Sequence, residues 1–168
     1  KILAQWIETA PQMFPKTKIY LHGISMGGAT TLLVAGNSDY QQHIAGAISD
    51  SAYHSVWEVF GWELHKRHVP HFPFLYVASF LNKLILGWSY KQVSPLKAIG
   101  KSTMPVLIVH GDIDNRVRVC NAQWLFDAKT QGRKQLWITK GAEHVQSYSV
   151  YPDEYAKQIE SFFNLPAK

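Results

Sequence analysis

The chain has 168 residues, of which 46% are hydrophobic and 17% charged, a balance that excludes a disordered or fibrous protein. The formal net charge of +5 comes from basic residues scattered singly or in pairs, so we expect no nucleic-acid-binding arm. Cys120 is the sole cysteine, which excludes an internal disulfide. No stretch approaches the roughly 18–20 apolar residues of a membrane span, and no signal peptide is recognisable in this chain.

The first predicted element is a helix that Pro11 and Pro15 are expected to end. Its apolar face consists of Ile2, Leu3, Trp6 and Ile7. Because the chain opens inside this helix without an initiator Met, we expect it to be a piece of a longer protein. The compartment therefore stays open: cytoplasmic, or exported or membrane-anchored through a missing N-terminal segment.

Four strands alternate with helices in the rest of the chain. The predicted strands are residues 18–22, 44–49, 105–110 and 135–139, and the predicted helices are residues 29–36, 56–66, 74–85, 119–130 and 151–163. The run VLIV in the third strand is typical of a parallel strand buried on both faces. The order predicts an α/β fold, a mostly parallel sheet with helices on both faces and an aromatic helical insertion at residues 51–97.

A G-x-S-x-G motif, Gly23-Ile24-Ser25-Met26-Gly27, follows the first predicted strand and precedes a predicted helix. On such a sharp turn the serine is pushed out of the carboxyl edge of the sheet, where its hydroxyl can act as a nucleophile. The helix N-terminus makes the Met26 N–H a candidate oxyanion-hole donor. The same residues also fit a Gly-rich turn in which Ser25 caps the helix.

Candidates for the partners of Ser25 follow the later strands, in the chain order serine, acid, histidine that the motif requires. Asp112 and Asp114 come after the third strand, and His144 comes after the fourth. Because the carboxyl ends of parallel strands meet at one edge, we expect these groups to lie together. His144 would then take the proton of Ser25, and the acid would orient the imidazole.

The segments GISMGG, HGDIDNRV and GAEH together resemble the α/β-hydrolase superfamily over most of the chain. More narrowly, GISMGGATTLL, ISDSAYHSVWEVF and SPLKAIGKSTMPVLIVHGDIDNRV are similar to uncharacterised hydrolases of Gram-positive bacteria, related to Bem46-like and prolyl-oligopeptidase-like serine hydrolases. The resemblance implies cleavage of a small-molecule carboxylic ester through an acyl-enzyme, without cofactor or metal. Two alternatives stay open: a peptidase or amidase, or a catalytically incomplete fragment that acts as an interaction module.

The family pattern H-G-x-x-D-x-x-V decides between the acids. Matched on residues 110–117, it places the acid at Asp114 and leaves Asp112 as a turn-forming residue. Asp50, at the end of the second strand, is a third candidate, since some members of the superfamily carry the acid there.

The resemblance also implies one domain, residues 1–168, that is the C-terminal half of the fold, with residues 51–97 as a helical lid. Tyr53, Trp57 and Trp62 are candidate pocket residues, although for any single aromatic residue of the insertion packing of the lid helices onto the sheet is favoured. The complete fold has about eight strands, so the loop that completes the oxyanion hole is expected outside this chain. The unpaired edge of residues 18–22 is expected to support self-association.

Several histidines lie outside the proposed triad. Those of residues 65–71 recur at a spacing of three, but Pro70 interrupts the helix and no carboxylate or cysteine completes a metal site. A polar face of the insertion is therefore favoured. His22 and His110 end strands at the same edge as the motif, where packing or hydrogen bonding is the expected role.

Overall fold

The computed structural model describes residues 2–166. Its strands are β1 (Tyr20–Ile24), β2 (Gly46–Asp50), β3 (Val106–Gly111) and β4 (Lys134–Thr139). Its α-helices are α1 (Ile2–Met13), α2 (Met26–Ala35), α3 (Ser38–Gln41), α4 (Val56–Lys66), α5 (Phe74–Leu86), α6 (Pro95–Ile99), α7 (Cys120–Ala128), α8 (Ser147–Val150) and α9 (Pro152–Phe163). A 3-10 helix covers Tyr90–Gln92.

The strands form one parallel sheet in the order β1-β2-β3-β4. Ile24 at the end of β1 lies opposite Asp50 at the end of β2, and Gly111 at the end of β3 lies opposite Thr139. The loops that follow the strands therefore leave the sheet at the same edge. The parallel α/β architecture expected from the sequence is confirmed.

Alternate residues of β3 pack against helices on opposite faces of the sheet. Val106 and Ile108 join a buried cluster with residues of α2 and α7, whereas Leu107 and Val109 join a second cluster with residues of α9. All six residues of β3 are buried, which explains the uninterrupted apolar run in its sequence.

Helix α1 continues through Pro11, which the sequence predicted would end it. Proline removes one donor, but the Phe14 N–H still donates to the Ala10 carbonyl at 2.9 Å, so the following turn closes. The predicted apolar face is also divided, because Ile7 is 2% exposed and Trp6 is 59% exposed.

Strands β1 and β2 each begin two residues later than predicted. The first prediction stopped at the glycine of the serine motif, yet Gly23 and Ile24 still pair with β2 in register. Three short helices, α3, α6 and α8, were not predicted because four or five residues are too few to show a helical period.

The insertion between β2 and β3 contains helices, as predicted, but its packing differs from expectation. Within α5 only Leu75 and Ser79 are buried, and Phe74 and Phe80 are 55% and 61% exposed. The interpretation that such aromatics pack onto the sheet is therefore wrong for α5, whose apolar face stays in solvent. Among residues 2–166, no helix has both the length and the apolar character needed to cross a membrane.

Strand β1 lies at an edge of the described sheet, where it pairs with β2. An edge strand presents backbone N–H and C=O groups that another chain can pair with. Self-association through this edge stays a prediction.

Replacing Leu32 of α2 by alanine is expected to lower the free energy of unfolding by about 2–5 kcal/mol, because its loss leaves a cavity in the core. Leu32 is 0% exposed, whereas Leu84 of α5 is 66% exposed. Leu84→Ala removes the same atoms and is expected to change that free energy by less than about 0.5 kcal/mol. Urea unfolding followed by circular dichroism measures both variants, and equal losses would contradict the described burial.

Candidate active site

Ser25 occupies a strained turn between β1 and α2, with φ 53° and ψ −114°. A non-glycine residue at positive φ costs on the order of 1–3 kcal/mol, so neighbouring contacts must hold it. The Ser25 N–H donates to the Asp50 carbonyl at 2.8 Å. The Ser25 hydroxyl makes no capping hydrogen bond to α2, in contrast to the N-cap interpretation of the motif.

Two glycines allow β1 and α2 to approach closely. A Cβ on Gly23 would overlap the carbonyl of Gly27, and a Cβ on Gly28 would lie 2.9 Å from the carbonyl oxygen of Asp50. A Cβ on Gly27 would meet no atom of the described chain within 4 Å. The close approach therefore depends on Gly23 and Gly28, and not on Gly27, the second glycine of the motif.

Three predicted residues from three loops meet at the carboxyl edge of the sheet. The Ser25 Oγ lies 3.0 Å from the Nε2 of His144, which belongs to the loop between β4 and α8. The Nδ1 of His144 lies 2.7 Å from the Oδ2 of Asp114, in the loop after β3. If Nδ1–H donates to the carboxylate, the neutral Nε2 is left to accept the serine proton.

Asp114 is surrounded by hydrogen-bond donors. Its Oδ1 accepts the backbone N–H groups of Arg116 and Val117, each at 2.9 Å. Burial alone would raise the pKa of Asp114, but hydrogen bonds from His110, His144 and the Val117 N–H outweigh burial and hold that pKa well below its usual range. The carboxylate is therefore charged at neutral pH and faces the imidazole.

The two other candidate acids have different partners. Asp112 is exposed, and its Oδ1 accepts a backbone N–H of the loop after β4 at 2.6 Å. Asp50 is 2% exposed and accepts the hydroxyls of Ser51 and Tyr155 at 2.8 and 2.9 Å. Burial raises the pKa of Asp50 although these hydrogen bonds oppose the rise.

Ser51 is a site residue that the sequence analysis missed. Its hydroxyl accepts the N–H of Val145, the residue after His144, at 3.2 Å while it donates to Asp50. Ser51 and Val145 both have positive φ, 52° and 61°, so this hydrogen bond joins two strained positions. Its position in the sequence could have indicated this role, because Ser51 directly follows β2 and is adjacent to Asp50, one of the candidate acids.

The two strand-end histidines make hydrogen bonds around the site, in agreement with the role expected from the sequence. The Nε2 of His110, which is 0% exposed, lies 2.7 Å from the Val117 carbonyl and 3.2 Å from the Oδ2 of Asp114. Its Nδ1 has no hydrogen-bond partner within the described chain. The Nε2 of His22 lies 2.9 Å from the Tyr155 hydroxyl.

Met26 is the first residue of α2, directly after Ser25. Its backbone N–H therefore lies at the positive end of the helix dipole, beside the serine hydroxyl. The side chain is 71% exposed and takes no part in the core. The assignment of this N–H to the oxyanion hole stays a prediction.

The three predicted pocket residues are separated. Tyr53 and Trp62 line a cleft of about 450 Å³ whose lining contains neither Ser25 nor His144. Trp57 lies outside that lining and packs edge-on against Tyr76, with ring centroids 5.0 Å apart. The cleft includes part of the loop after β3, so it lies beside the three residues that meet at the sheet edge.

The histidines of the insertion do not come together as metal ligands. Across residues 2–166, no three His, Cys, Asp or Glu side chains form a group that would hold a metal ion. His65 stacks on Trp62 with centroids 5.6 Å apart, and the Nε2 of His71 lies 2.8 Å from the Gly61 carbonyl.

Solved structures share this fold. The chain resembles an esterase of Pyrococcus furiosus at 19% identity and a TM-score of 0.72, over 96% of this chain and 59% of that one. An acylaminoacyl peptidase of Pyrococcus horikoshii matches at 19% identity and a TM-score of 0.63, over 94% of this chain and 25% of that one. A monoacylglycerol lipase of Paleococcus ferrophilus matches at 19% identity and a TM-score of 0.63, over 98% and 74%. These likenesses confirm the predicted α/β-hydrolase fold.

Sequence comparison gives the family. The chain is 32% identical over 152 residues to the uncharacterized protein YqkD of Bacillus subtilis, which covers 87% of this chain and 48% of that protein. The chain thus spans about half the length of the curated relative that it matches. The model of the prolyl oligopeptidase family matches residues 3–165. The chain therefore belongs to the prolyl oligopeptidase family.

Proposed function

We propose that this chain carries the catalytic residues of a serine hydrolase that cleaves carboxylic esters, with Ser25 as nucleophile, His144 as base and Asp114 as acid. The observation that carries the proposal is the hydrogen-bonded path from the Ser25 Oγ to the His144 Nε2 at 3.0 Å and from the His144 Nδ1 to Asp114 at 2.7 Å. Many serine hydrolases carry out acyl transfer with this sequence of hydroxyl, imidazole and carboxylate.

The first half of the reaction acylates the enzyme. The Ser25 Oγ attacks the ester carbonyl carbon while the His144 Nε2 takes the hydroxyl proton, which produces a tetrahedral intermediate. The intermediate collapses as the carbon–oxygen bond to the alcohol breaks, and His144 returns the proton to the departing alkoxide. Asp114 stabilises the imidazolium between these steps.

The second half releases the acid. Water replaces the alcohol, and His144 removes a proton from it as its oxygen attacks the acyl carbon of the ester on Ser25. Collapse of the second tetrahedral intermediate frees the carboxylic acid and restores the serine hydroxyl.

The Met26 N–H is proposed as one donor to the oxyanion of each intermediate. It follows the nucleophile directly and begins α2, so the positive end of the helix dipole faces the developing negative charge. Removing one such donor typically lowers kcat by about 100- to 1,000-fold.

A second candidate function is cleavage of a peptide or amide bond by the same residues. Membership of the prolyl oligopeptidase family and the likeness to an acylaminoacyl peptidase favour it. Hydrolysis of a peptide nitroanilide, measured beside that of an acetyl nitrophenyl ester, tests for it, because only the nitroanilide requires cleavage of an amide bond. If the nitroanilide is hydrolysed faster than the ester, peptidase action and not ester cleavage is the function.

We expect a fluorophosphonate probe to label the purified chain once, on Ser25, because its hydroxyl is hydrogen-bonded to the His144 imidazole. Intact mass spectrometry measures the adduct. Ser25→Ala and His144→Ala are expected to lose it. Ser161→Ala, which removes an exposed hydroxyl of α9, is the matched control and is expected to keep it.

No adduct on the folded wild-type chain would contradict the prediction for this chain by itself. It would favour the alternative of a catalytically incomplete unit that acts in interactions, including association through β1. A label that survives in Ser25→Ala would assign the reactive hydroxyl to another residue.

Replacing Asp114 by asparagine is expected to lower kcat for ester hydrolysis by about 10,000-fold, because an amide no longer holds the imidazole in the required tautomer. Asp112→Asn is the matched control, since Asp112 accepts a loop N–H and not the imidazole, and a change below about threefold is expected. Steady-state kinetics of both variants measures the difference. Equal losses would overturn the assignment of the acid.

Stability is expected to depend on the charge of Asp114. An acid whose folded pKa lies below its unfolded value of about 3.9 stabilises the protein above that value and loses this effect as pH falls through the folded pKa. Asp114→Asn is therefore expected to be less stable than wild type at about pH 7, with the difference shrinking below about pH 4. Urea unfolding at both pH values measures it, and a constant difference would contradict the depressed pKa.

A further inference from the structure

The cleft of about 450 Å³ beside the proposed triad has walls from α4, α7 and the loops after β2 and β3. Its volume lies within the range of about 300–1,000 Å³ that is usual for small-molecule sites. Arg116 and Arg118 contribute two positive charges to its lining, and Glu58 is the one carboxylate there among the described residues. The cleft is therefore suited to an anion.

Arg118 is held in place by an aromatic ring. Its guanidinium carbon lies 4.5 Å from the centroid of Trp62, and across residues 2–166 Arg118 forms no ion pair with a carboxylate. This cation–π contact limits the freedom of the side chain, and the guanidinium presents its N–H groups in one plane because it is planar. Two of these N–H groups can donate to the two oxygens of one carboxylate, so Arg118 is suited to bidentate binding of a carboxylate.

Hydrogen bonds fix another part of the lining, around His54 and Asn121. The Nδ1 of His54 lies 2.6 Å from the Oδ1 of Asn121, whose Nδ2 donates to the Arg118 carbonyl at 2.8 Å. The His54 ring meets Trp124 edge-on, with centroids 4.8 Å apart. These contacts fix the backbone at Arg118 and the ring of His54. The Trp124 indole gives the lining an apolar surface that a planar group can contact.

Trp62 carries a second indication of a ligand. Its indole N–H is buried without a hydrogen-bond partner within the described chain. An unsatisfied buried donor costs free energy, which an acceptor supplied on binding would recover.

We propose that this cleft binds a planar aromatic carboxylate, with the carboxylate on the Arg118 guanidinium, which the Trp62 indole supports, and the aromatic group against the indole of Trp124. The site does not depend on the proposed hydrolase activity, because none of Ser25, Asp114 and His144 lines it. Its test is a binding measurement that needs no turnover.

The probes are naphthoate and its neutral analogue naphthylmethanol, titrated into the 168-residue chain by calorimetry. Naphthoate is expected to bind at least about tenfold more tightly than the alcohol, because the carboxylate forms charge-assisted hydrogen bonds with Arg118. Equal binding of the two probes, or binding of neither, would overturn the proposal.

Arg118→Gln is expected to raise the Kd for naphthoate by about tenfold or more and to leave the Kd for the alcohol unchanged. The matched control is Arg133→Gln, which removes an equal charge from a guanidinium 4.7 Å from the ring of Phe162, outside the cleft lining. This control is expected to change the Kd by less than about twofold. An equal increase in the Kd for naphthoate in both variants would show that binding depends only on the net charge of the protein, and it would overturn the proposed site.

Variants of Trp62 provide a second test in case Arg118→Gln does not fold. Trp62→Phe retains an apolar ring under the guanidinium and is expected to keep naphthoate binding within about tenfold, whereas Trp62→Ala is expected to abolish it. Circular dichroism establishes that each variant is folded. An unchanged Kd for naphthoate in folded Trp62→Ala would show that naphthoate does not bind in this cleft.

Discussion

The hydrogen bond from the Ser25 N–H to the Asp50 carbonyl, 2.8 Å long, holds the nucleophile in a backbone conformation that it would not keep alone. The next residue, Ser51, accepts the N–H of Val145 and so fixes the loop that carries His144. The end of β2 therefore supports both the proposed nucleophile and the proposed base. Neither contact involves the reacting atoms, yet both decide whether the hydroxyl and the imidazole meet at 3.0 Å.

Two buried carboxylates near the site show that burial alone does not determine the charge of an acid. Asp50 and Asp114 are 2% and 6% exposed, yet the pKa of Asp50 is raised and that of Asp114 is lowered. Asp50 accepts two neutral hydroxyls, whereas Asp114 accepts two backbone N–H groups and lies against two imidazoles. The hydrogen bonds from the His110 and His144 imidazoles, together with the Val117 N–H, make the difference.

The sequence was sufficient for those features that have a local pattern. The apolar run of β3, the motif around Ser25 and the order of the acid and the histidine along the chain fix where three loops leave one sheet edge. Proximity of the three side chains follows from that topology.

Features that depend on tertiary neighbours were not readable from the sequence. Pro11 is tolerated because the turn after it still closes, and Ser51 matters because Val145 comes to it from 94 residues away. Aromatic residues of α5 stay exposed although packing onto the sheet was expected, because the sequence does not show which neighbours a helix has. Trp57 and Trp62 are five residues apart on α4 and therefore on different faces of it, and they pack against different partners.

Strand β3 has a partner on each side and no exposed residue, whereas α5 buries two of its residues. In hydrogen–deuterium exchange such a strand gives up its amide protons only when the whole domain opens, while a loosely packed helix exchanges by local fluctuation. The loop with Asp114 begins where β3 ends, so Asp114 is attached to a strand that is buried along its whole length. Helix α5 can thus exchange its amide protons by local fluctuation while β3 and the start of the loop that follows it stay closed.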